Sequence, residues 1–113
     1  MAVLELFRTT LSALPCPATL PPGAADEPTW CVYNPTAWME EQDASNDPQR
    51  RRHQIQLHVY SKYTDGTAER VLWQAVALLK AAGVRIRSGN FYEYEQDTGI
   101  THAACTCEYH ERI

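Results

Sequence analysis

The sequence contains none of the short motifs that carry chemistry in small enzymes. It has no glycine-rich phosphate loop, no nucleophile with a base beside it, and no metal-ligand spacing such as His-Glu-x-x-His. Ser12, Ser45, Ser61 and Ser88 all lie outside any nucleophile-elbow context. We therefore expect no enzyme activity, no catalytic residues, no cofactor and no small-molecule substrate.

Positive charge and long apolar runs are also scarce. The net charge is −4 at pH 7 and the sequence pI is about 5.5, so the chain lacks the clustered positive charge that a phosphate backbone requires. No apolar run approaches the roughly 20 residues that cross a bilayer. Glu5 and Arg8 interrupt the apolar N-terminal segment, which predicts an amphipathic helix rather than a signal peptide. We expect a cytosolic origin, with neither a membrane nor nucleic acid as partner.

The first half of the chain alternates regular segments with irregular ones. Residues 3–14 place apolar side chains at helical spacing. The proline-rich residues 15–28 predict an irregular connector, and the aromatic and β-branched residues 29–33 predict a short strand. The polar residues 36–51 predict a long hairpin loop, because Trp38 and Met39 are its only large apolar side chains. We expect this loop to be mobile in the monomer and ordered in an assembly.

The second half changes from a strand period to a helix period across one short turn. Residues 54–60 alternate strictly between polar and apolar, which predicts a half-buried strand. Residues 67–82 have helical spacing, and Gly83 stands where a left-handed residue often ends a helix. Residues 91–95 and 100–109 predict an antiparallel hairpin.

These segments together predict one domain over residues 1–113. Its class is α+β, in the order α-β-β-α-β-β, with an antiparallel sheet of about four strands and two helices packed on one face. The length is near the commonest domain size, and 44% hydrophobic residues are enough for one core.

The cysteines and histidines leave two interpretations open. The cysteines are Cys16, Cys31, Cys105 and Cys107. Reduced thiols packed in the core are favoured, because Cys105 and Cys107 fall on one face of a strand and the chain carries no secretory signal. The alternative is a small metal-binding module or enzyme that uses Cys105, Cys107 and histidines such as His58 and His102, which are expected to lie near each other across the sheet.

Aromatic and charged side chains predict an assembly surface. The basic run of residues 50–52 is either solvated charge or half of a contact with acidic residues of a neighbouring copy. Tyr92 and Tyr94 alternate with acids, as in a charge-protected edge strand or an interface. Trp38 either packs in the core or anchors a contact. The candidate interface residues are Trp38, Met39, Glu40, Glu41, Asp43, Arg50, Arg51, Arg52, Tyr92 and Tyr94.

The order and spacing of three segments resemble a known family. They are residues 53–62 (HQIQLHVYSK), the helix of residues 67–83, and residues 91–100 (FYEYEQDTGI) with His102 shortly after. This pattern resembles the tail-completion and tail-terminator (tail-to-head joining) proteins of long-tailed bacteriophages and prophages, over about residues 29–110. The chain departs from the usual pattern in its proline-rich connector and in the segment 104–107.

The resemblance implies a structural role in the virion, in the tail or neck, for a protein made in the bacterial host cytoplasm. The resemblance implies that copies of this protein form a ring, often sixfold in such proteins. The ring would cap the tail tube and present a surface to the head connector. The implied partners are further copies of the chain, the tail tube protein and head–tail connector proteins. A head-completion or neck protein is the nearest alternative.

Overall fold

The computed structural model describes residues 2–42, 48–95 and 98–112. They form seven elements, which are α1 (Val3–Leu11), β1 (Ala18–Thr19), β2 (Thr29–Gln42), β3 (Pro48–Ser61), α2 (Thr67–Ala81), β4 (Arg85–Glu95) and β5 (Ile100–Arg112). The predicted α+β class and the two helices are confirmed.

One sheet contains all five strands, in the spatial order β1-β2-β3-β5-β4. Every neighbouring pair is antiparallel except β1 with β2, which is parallel. The prediction of about four strands and of the order α-β-β-α-β-β is therefore wrong by one strand. The extra strand, β1, lies inside the predicted connector of residues 15–28 and pairs with only Cys31 and Val32. A strand of two residues is too short to show the alternation of polar and apolar residues that predicts a strand.

The core lies between the helices and one face of the sheet. Val3, Phe7 and Leu11 of α1 are buried together with one side of α2, which includes Leu72 and Leu79. The sheet contributes cross-strand rows such as Tyr33, Leu57 and Cys105, which are partners in register. Gly83 follows α2 with φ of +91°, as predicted for a left-handed residue at a helix end.

The proline-rich connector passes around the edge of the sheet and covers part of its other face. Gly23 has φ of +91°, and a Cβ there would stand 2.8 Å from Val32 Cγ2 and 3.1 Å from Trp30 Cδ1. Trp30 is only 4% exposed, although it points away from the helices. A glycine is therefore required where the connector approaches β2 closely.

The prediction of a long loop is wrong for residues 36–42 and 48–51. Strand β2 continues to Gln42 and β3 begins at Pro48, so most of that segment is a regular antiparallel ladder. Its polar side chains do not need a buried face, because they pair with each other across the strands, as Glu41 does with Arg50. Asp43 lies outside the described residues.

Candidate subunit and partner interface

The ends of three strands extend beyond the helices and form what we call the arm, which consists of residues 34–42, 48–54 and 108–112. The last fully buried core positions along β3 and β5 are Ile55 and Cys107, which are partners in register. A strand of 14 residues such as β2 spans roughly 46 Å. The molecule accordingly measures 53 × 23 × 22 Å.

A β-bulge sets the direction of the side chains in the arm. The register of β2 against β3 shifts between Pro35 and Ala37, and the hydroxyl of Thr36 donates a hydrogen bond to the carbonyl of Gln54 at 3.2 Å. An extra residue on one strand reverses the alternation beyond it. Trp38 therefore lies on the side of the sheet that carries the helices.

Trp38 and Met39 are the most exposed large apolar side chains of the arm. Trp38 is 65% exposed and Met39 is 51% exposed, on opposite sides of β2. Arg52 Nη2 lies 2.9 Å from Met39 Sδ, and both residues line an open depression of about 280 Å³. Trp38 thus lies outside the core. Of its two predicted roles, only that of an anchor in a contact with another protein or copy is left as a prediction.

Two ion-pair networks hold the arm together, one on each side. On the helix side, Arg51 pairs with Glu40 at 3.5 Å and Glu111 at 3.8 Å, and His53 Nε2 lies 3.0 Å from Glu111. These contacts join all three strands of the arm. Partly exposed pairs contribute little singly, but a network across three strands restrains their relative positions.

The network on the opposite side is centred on Glu108. Its carboxylate lies 2.8 Å from Arg87 Nε, 2.6 Å from His110 Nε2 and 4.0 Å from Arg52 Nε. Burial alone would raise the pKa of Glu108, but the hydrogen bond from His110 and the nearby cations outweigh it, so the pKa is lowered. Glu41 extends this network, with His110 Nδ1 at 3.5 Å and Arg50 at 3.3 Å.

The predicted arginine run therefore finds acidic partners within its own chain. Arg50, Arg51 and Arg52 each reach a carboxylate of β2 or β5. The expected pairing with acids of a neighbouring copy stays a prediction, and it would have to compete with these internal pairs.

Tyr92 and Tyr94 lie at the opposite edge of the sheet, on the outer strand β4. Tyr94 is 48% exposed and Tyr92 is the register partner of Ala103. The side chain of Tyr92 lies outside the described part of the structure. The candidate residues thus fall into two groups, the arm at the β2 edge and the tyrosines at the β4 edge.

A stack of rings occupies the sheet face that the helices leave open. Tyr60 stacks between Trp30 at 5.3 Å and His102 at 4.5 Å, measured between ring centroids. His58 Nδ1 lies 2.7 Å from His102 Nε2, which confirms the predicted proximity of the two histidines. Burial and the neighbouring His102 lower the pKa of His58, and burial and Glu95 raise that of Tyr60.

The two cysteines of β5 face the core, as predicted. Cys105 and Cys107 are buried with their sulfur atoms 4.0 Å apart, and the hydrogen bond with Cys105 and burial raise the pKa of Cys107. Among the described residues, no three His, Cys, Asp or Glu side chains converge to hold a metal ion.

The helices carry one exposed apolar area that the candidate interface residues do not include. Trp73 of α2 is 51% exposed. Beside it, an open groove of about 500 Å³ runs between the end of α1 and α2. Its lining residues are Ala13, Leu14, Pro15, Gln74, Ala77 and Leu78. In the sequence, Trp73 directly follows the buried Leu72. This spacing places Trp73 on the flank of the helix, away from its buried face.

Comparison with known proteins gives one informative match. The family described as tail completion protein gp17 matches residues 8–109 of this chain. No curated protein matches it. A solved structure is similar over 98% of this chain and 88% of its own, at 22% sequence identity and a TM-score of 0.49. No helix in the described part of the chain is long and apolar enough to span a membrane.

Proposed function

This chain belongs to the tail completion protein gp17 family, and from that premise we propose that it acts as a tail terminator, a ring of identical subunits that caps the tail tube of a long-tailed phage. In this role the ring also joins the tube to the connector proteins of the head. The protein is then a component of the virion tail or neck, made in the cytoplasm of the bacterial host, and its function is binding rather than catalysis.

The observation that carries the ring proposal is the position of the two candidate surfaces. The arm lies at the β2 edge of the sheet, and Tyr94 lies at the β4 edge. A ring needs a head-to-tail contact between two different patches of one subunit. Patches on opposite edges meet this requirement, whereas a single self-complementary patch would give a closed dimer.

The arm is also already built in the isolated chain. Its cross-strand pairs and its two ion-pair networks restrain residues 34–42 through contacts within one copy. A preordered surface loses less conformational entropy on binding than a loop does. We therefore propose a preformed projection rather than a loop that becomes ordered only in the ring.

The test combines assembly with binding to tail tubes. The purified wild-type protein, followed by size-exclusion chromatography with light scattering over a range of concentrations, should form a ring of defined mass. It should also bind to the ends of tubes assembled from the tail tube protein, as seen by electron microscopy. A protein that stays monomeric and leaves tube ends bare would contradict the proposal.

The same experiment separates the nearest alternative. A head-completion or neck protein would bind the isolated head connector and not the tube end.

The Trp38→Ala variant should weaken assembly at least tenfold while the monomer stays folded, because Trp38 is exposed. Trp73→Ala serves as the matched control, since it removes a similarly exposed tryptophan outside the candidate interface.

A further inference from the structure

The outer edge of β2 is open along the arm. The only strand beside β2 on that side, within the described residues, is β1, and it pairs with only Cys31 and Val32. An unpaired strand edge presents a row of backbone N–H and C=O groups to any strand that fits it. The question is which backbone groups of the arm point outward.

The hydrogen bonds near the start of β2 fix this direction. The N–H of Cys31 donates to the carbonyl of Pro17 at 2.8 Å, so it points away from β3. Its register partner in β3 is Val59. Hydrogen-bonded and non-hydrogen-bonded pairs alternate along an antiparallel ladder. The odd-numbered residues of β3 therefore face non-hydrogen-bonded partners in β2, and the backbone groups of those partners point outward.

In the arm, this rule identifies Trp38 and Glu40 as the residues whose backbone groups point outward. Their partners in β3 are His53 and Arg51, two odd-numbered residues. The backbone N–H and C=O groups of Trp38 and Glu40 thus point out of the sheet edge. They belong to the segment of residues 37–42, beyond the bulge at Thr36 and beyond Pro35, which has no N–H to offer.

The same alternation identifies the outward groups of β4. The odd-numbered residues of β3 bond to β5, so the odd-numbered residues of β5 face non-hydrogen-bonded partners in β4. Thr101 is the partner of Tyr94, and Ala103 is the partner of Tyr92. The backbone groups of Tyr92 and Tyr94 therefore point out of the opposite edge of the sheet.

Charge does not protect the β2 edge against pairing. Exposed charges usually prevent an edge strand from pairing with a strand of another molecule. Here Glu40 is neutralised by Arg51 and Glu41 by Arg50, both within the chain. Trp38 stays 65% exposed beside these neutral pairs. Within residues 37–42, the edge thus combines outward backbone groups with an exposed aromatic ring, and both of its acids, Glu40 and Glu41, are paired.

We propose that residues 37–42 of β2 receive the β4 edge of a second copy, so that the sheet continues from one subunit into the next. This inference rests on the proposed ring and specifies its contact. Strands β2 and β4 run in opposite directions within one subunit, because three antiparallel pairings separate them. In a ring whose axis is inclined to the strands, neighbouring copies keep these opposite directions, so the new pair is antiparallel.

The side chains at the two edges match in this arrangement. Trp38 lies on the helix side, as does Tyr94, whose partner Thr101 is odd-numbered in β5 like the core-facing Ala103 and Cys105. Facing aromatic side chains stabilise neighbouring strands. The free part of β2 lies further along the strand direction than residues 91–95 of β4, so this pairing requires strands that are inclined to the ring axis, as strands in closed sheets are.

Proline substitution tests the backbone contact separately from the side chains. Glu40→Pro removes an outward N–H while keeping the pairing of β2 with β3, and Glu40→Ala removes the same side chain while keeping the N–H. Tyr94→Pro and Tyr94→Ala form the same pair on β4. We expect each proline variant to raise the concentration at which half of the protein is assembled at least tenfold above that of its alanine counterpart.

Hydrogen exchange of the wild-type protein provides a readout that does not depend on variant folding. Backbone amides in residues 37–42 and 91–95 should exchange more slowly in the assembled state than in the dilute monomer. Unchanged exchange in both segments, or proline variants that assemble like their alanine counterparts, would overturn strand addition while leaving the ring intact. A twofold dimer protected only at residues 37–42 would overturn the β2–β4 pairing. A wild-type protein that neither assembles nor binds tube ends refutes the proposed function itself.

Discussion

At the scale of single residues, the sheet uses one side of each central strand for packing and leaves the other side for polar and ring contacts. Ile55, Leu57 and Val59 are fully buried against the helices. On the other side of the same strand, His58 and Tyr60 stack with His102. Substitutions on the two sides should therefore have different consequences.

Leu57→Ala should lower the free energy of unfolding by about 2–5 kcal/mol, because it leaves a cavity in a fully buried site. Leu79→Ala in α2 should have a cost in the same range for the same reason. Urea denaturation followed by circular dichroism measures both. Leu20→Ala is the control, since Leu20 is 41% exposed and should change stability by less than about 0.5 kcal/mol. Equal costs at the three positions would contradict the assigned core.

His58 should make the fold less stable as the pH falls. Burial and His102 lower its pKa in the folded chain, so protonation favours the unfolded chain. The stability that depends on the neutral ring is complete above about pH 6.5, the unfolded-state value, and declines as the pH falls through the lower folded-state pKa.

The measurement compares the wild type with His58→Gln. Urea midpoints are taken at about pH 7.5 and about pH 5.5, above the range in which carboxylates such as Glu108 titrate. The wild type should lose more stability between the two values than His58→Gln does. Parallel losses would show that His58 does not carry the effect.

At the scale of elements, the connector and the arm differ in how they are held. The connector is held by the short β1–β2 pairing and by a close approach at Gly23, whereas the arm is held by many cross-strand pairs. Residues that are distant in sequence, such as Glu40 and Glu111, meet the same arginine, Arg51. A single substitution should therefore damage the connector more than the arm.

Gly23→Ala should destabilise the fold more than Gly83→Ala. Both residues have φ of +91°, so both substitutions carry the backbone cost of about 1–2 kcal/mol for a left-handed residue. Only at Gly23 does a new Cβ also meet Val32, which should add about 1–3 kcal/mol. Thermal and urea unfolding measure the difference. A smaller loss for Gly23→Ala than for Gly83→Ala would mean that the connector moves aside without cost.

At the scale of the whole molecule, the shape is set by strands that extend beyond the helices packed on them. The body is a two-layer α+β domain, and the arm projects from it to give the longest dimension of 53 Å. The two sheet edges, one in the arm and one at β4, are the surfaces that a repeating assembly can use. Their contacts should be apolar and backbone-based rather than ionic.

Assembly should accordingly depend little on salt. The charges of the arm are already paired within one chain, as Arg50 is with Glu41, so few new ion pairs are available to form between subunits. Raising NaCl from about 0.05 M to about 0.5 M should change the half-assembly concentration by less than about threefold, although screening becomes much stronger over this range. A weakening of tenfold or more would favour the alternative, that Arg50–Arg52 pair with acids of the neighbouring copy.

The sequence by itself determined the body of this protein. The alternation of residues 54–60 and the helical spacing of α2 predicted a strand and a helix, because both periods follow from local backbone geometry. The burial of Cys105 and Cys107 and the proximity of His58 to His102 followed from the same alternation. The family was also recognisable from short segments in a fixed order.

Only the tertiary structure decided the form of residues 36–42 and 48–51 and the existence of β1. The arm is polar, so its strands carry no apolar period, and they are regular because each finds backbone and charged partners in other strands. Those partners, such as Glu111 for Arg51, are far away in the sequence. The positions of Trp38 and Tyr94 on opposite edges likewise follow from the strand order, which depends on long-range pairing that no local pattern records.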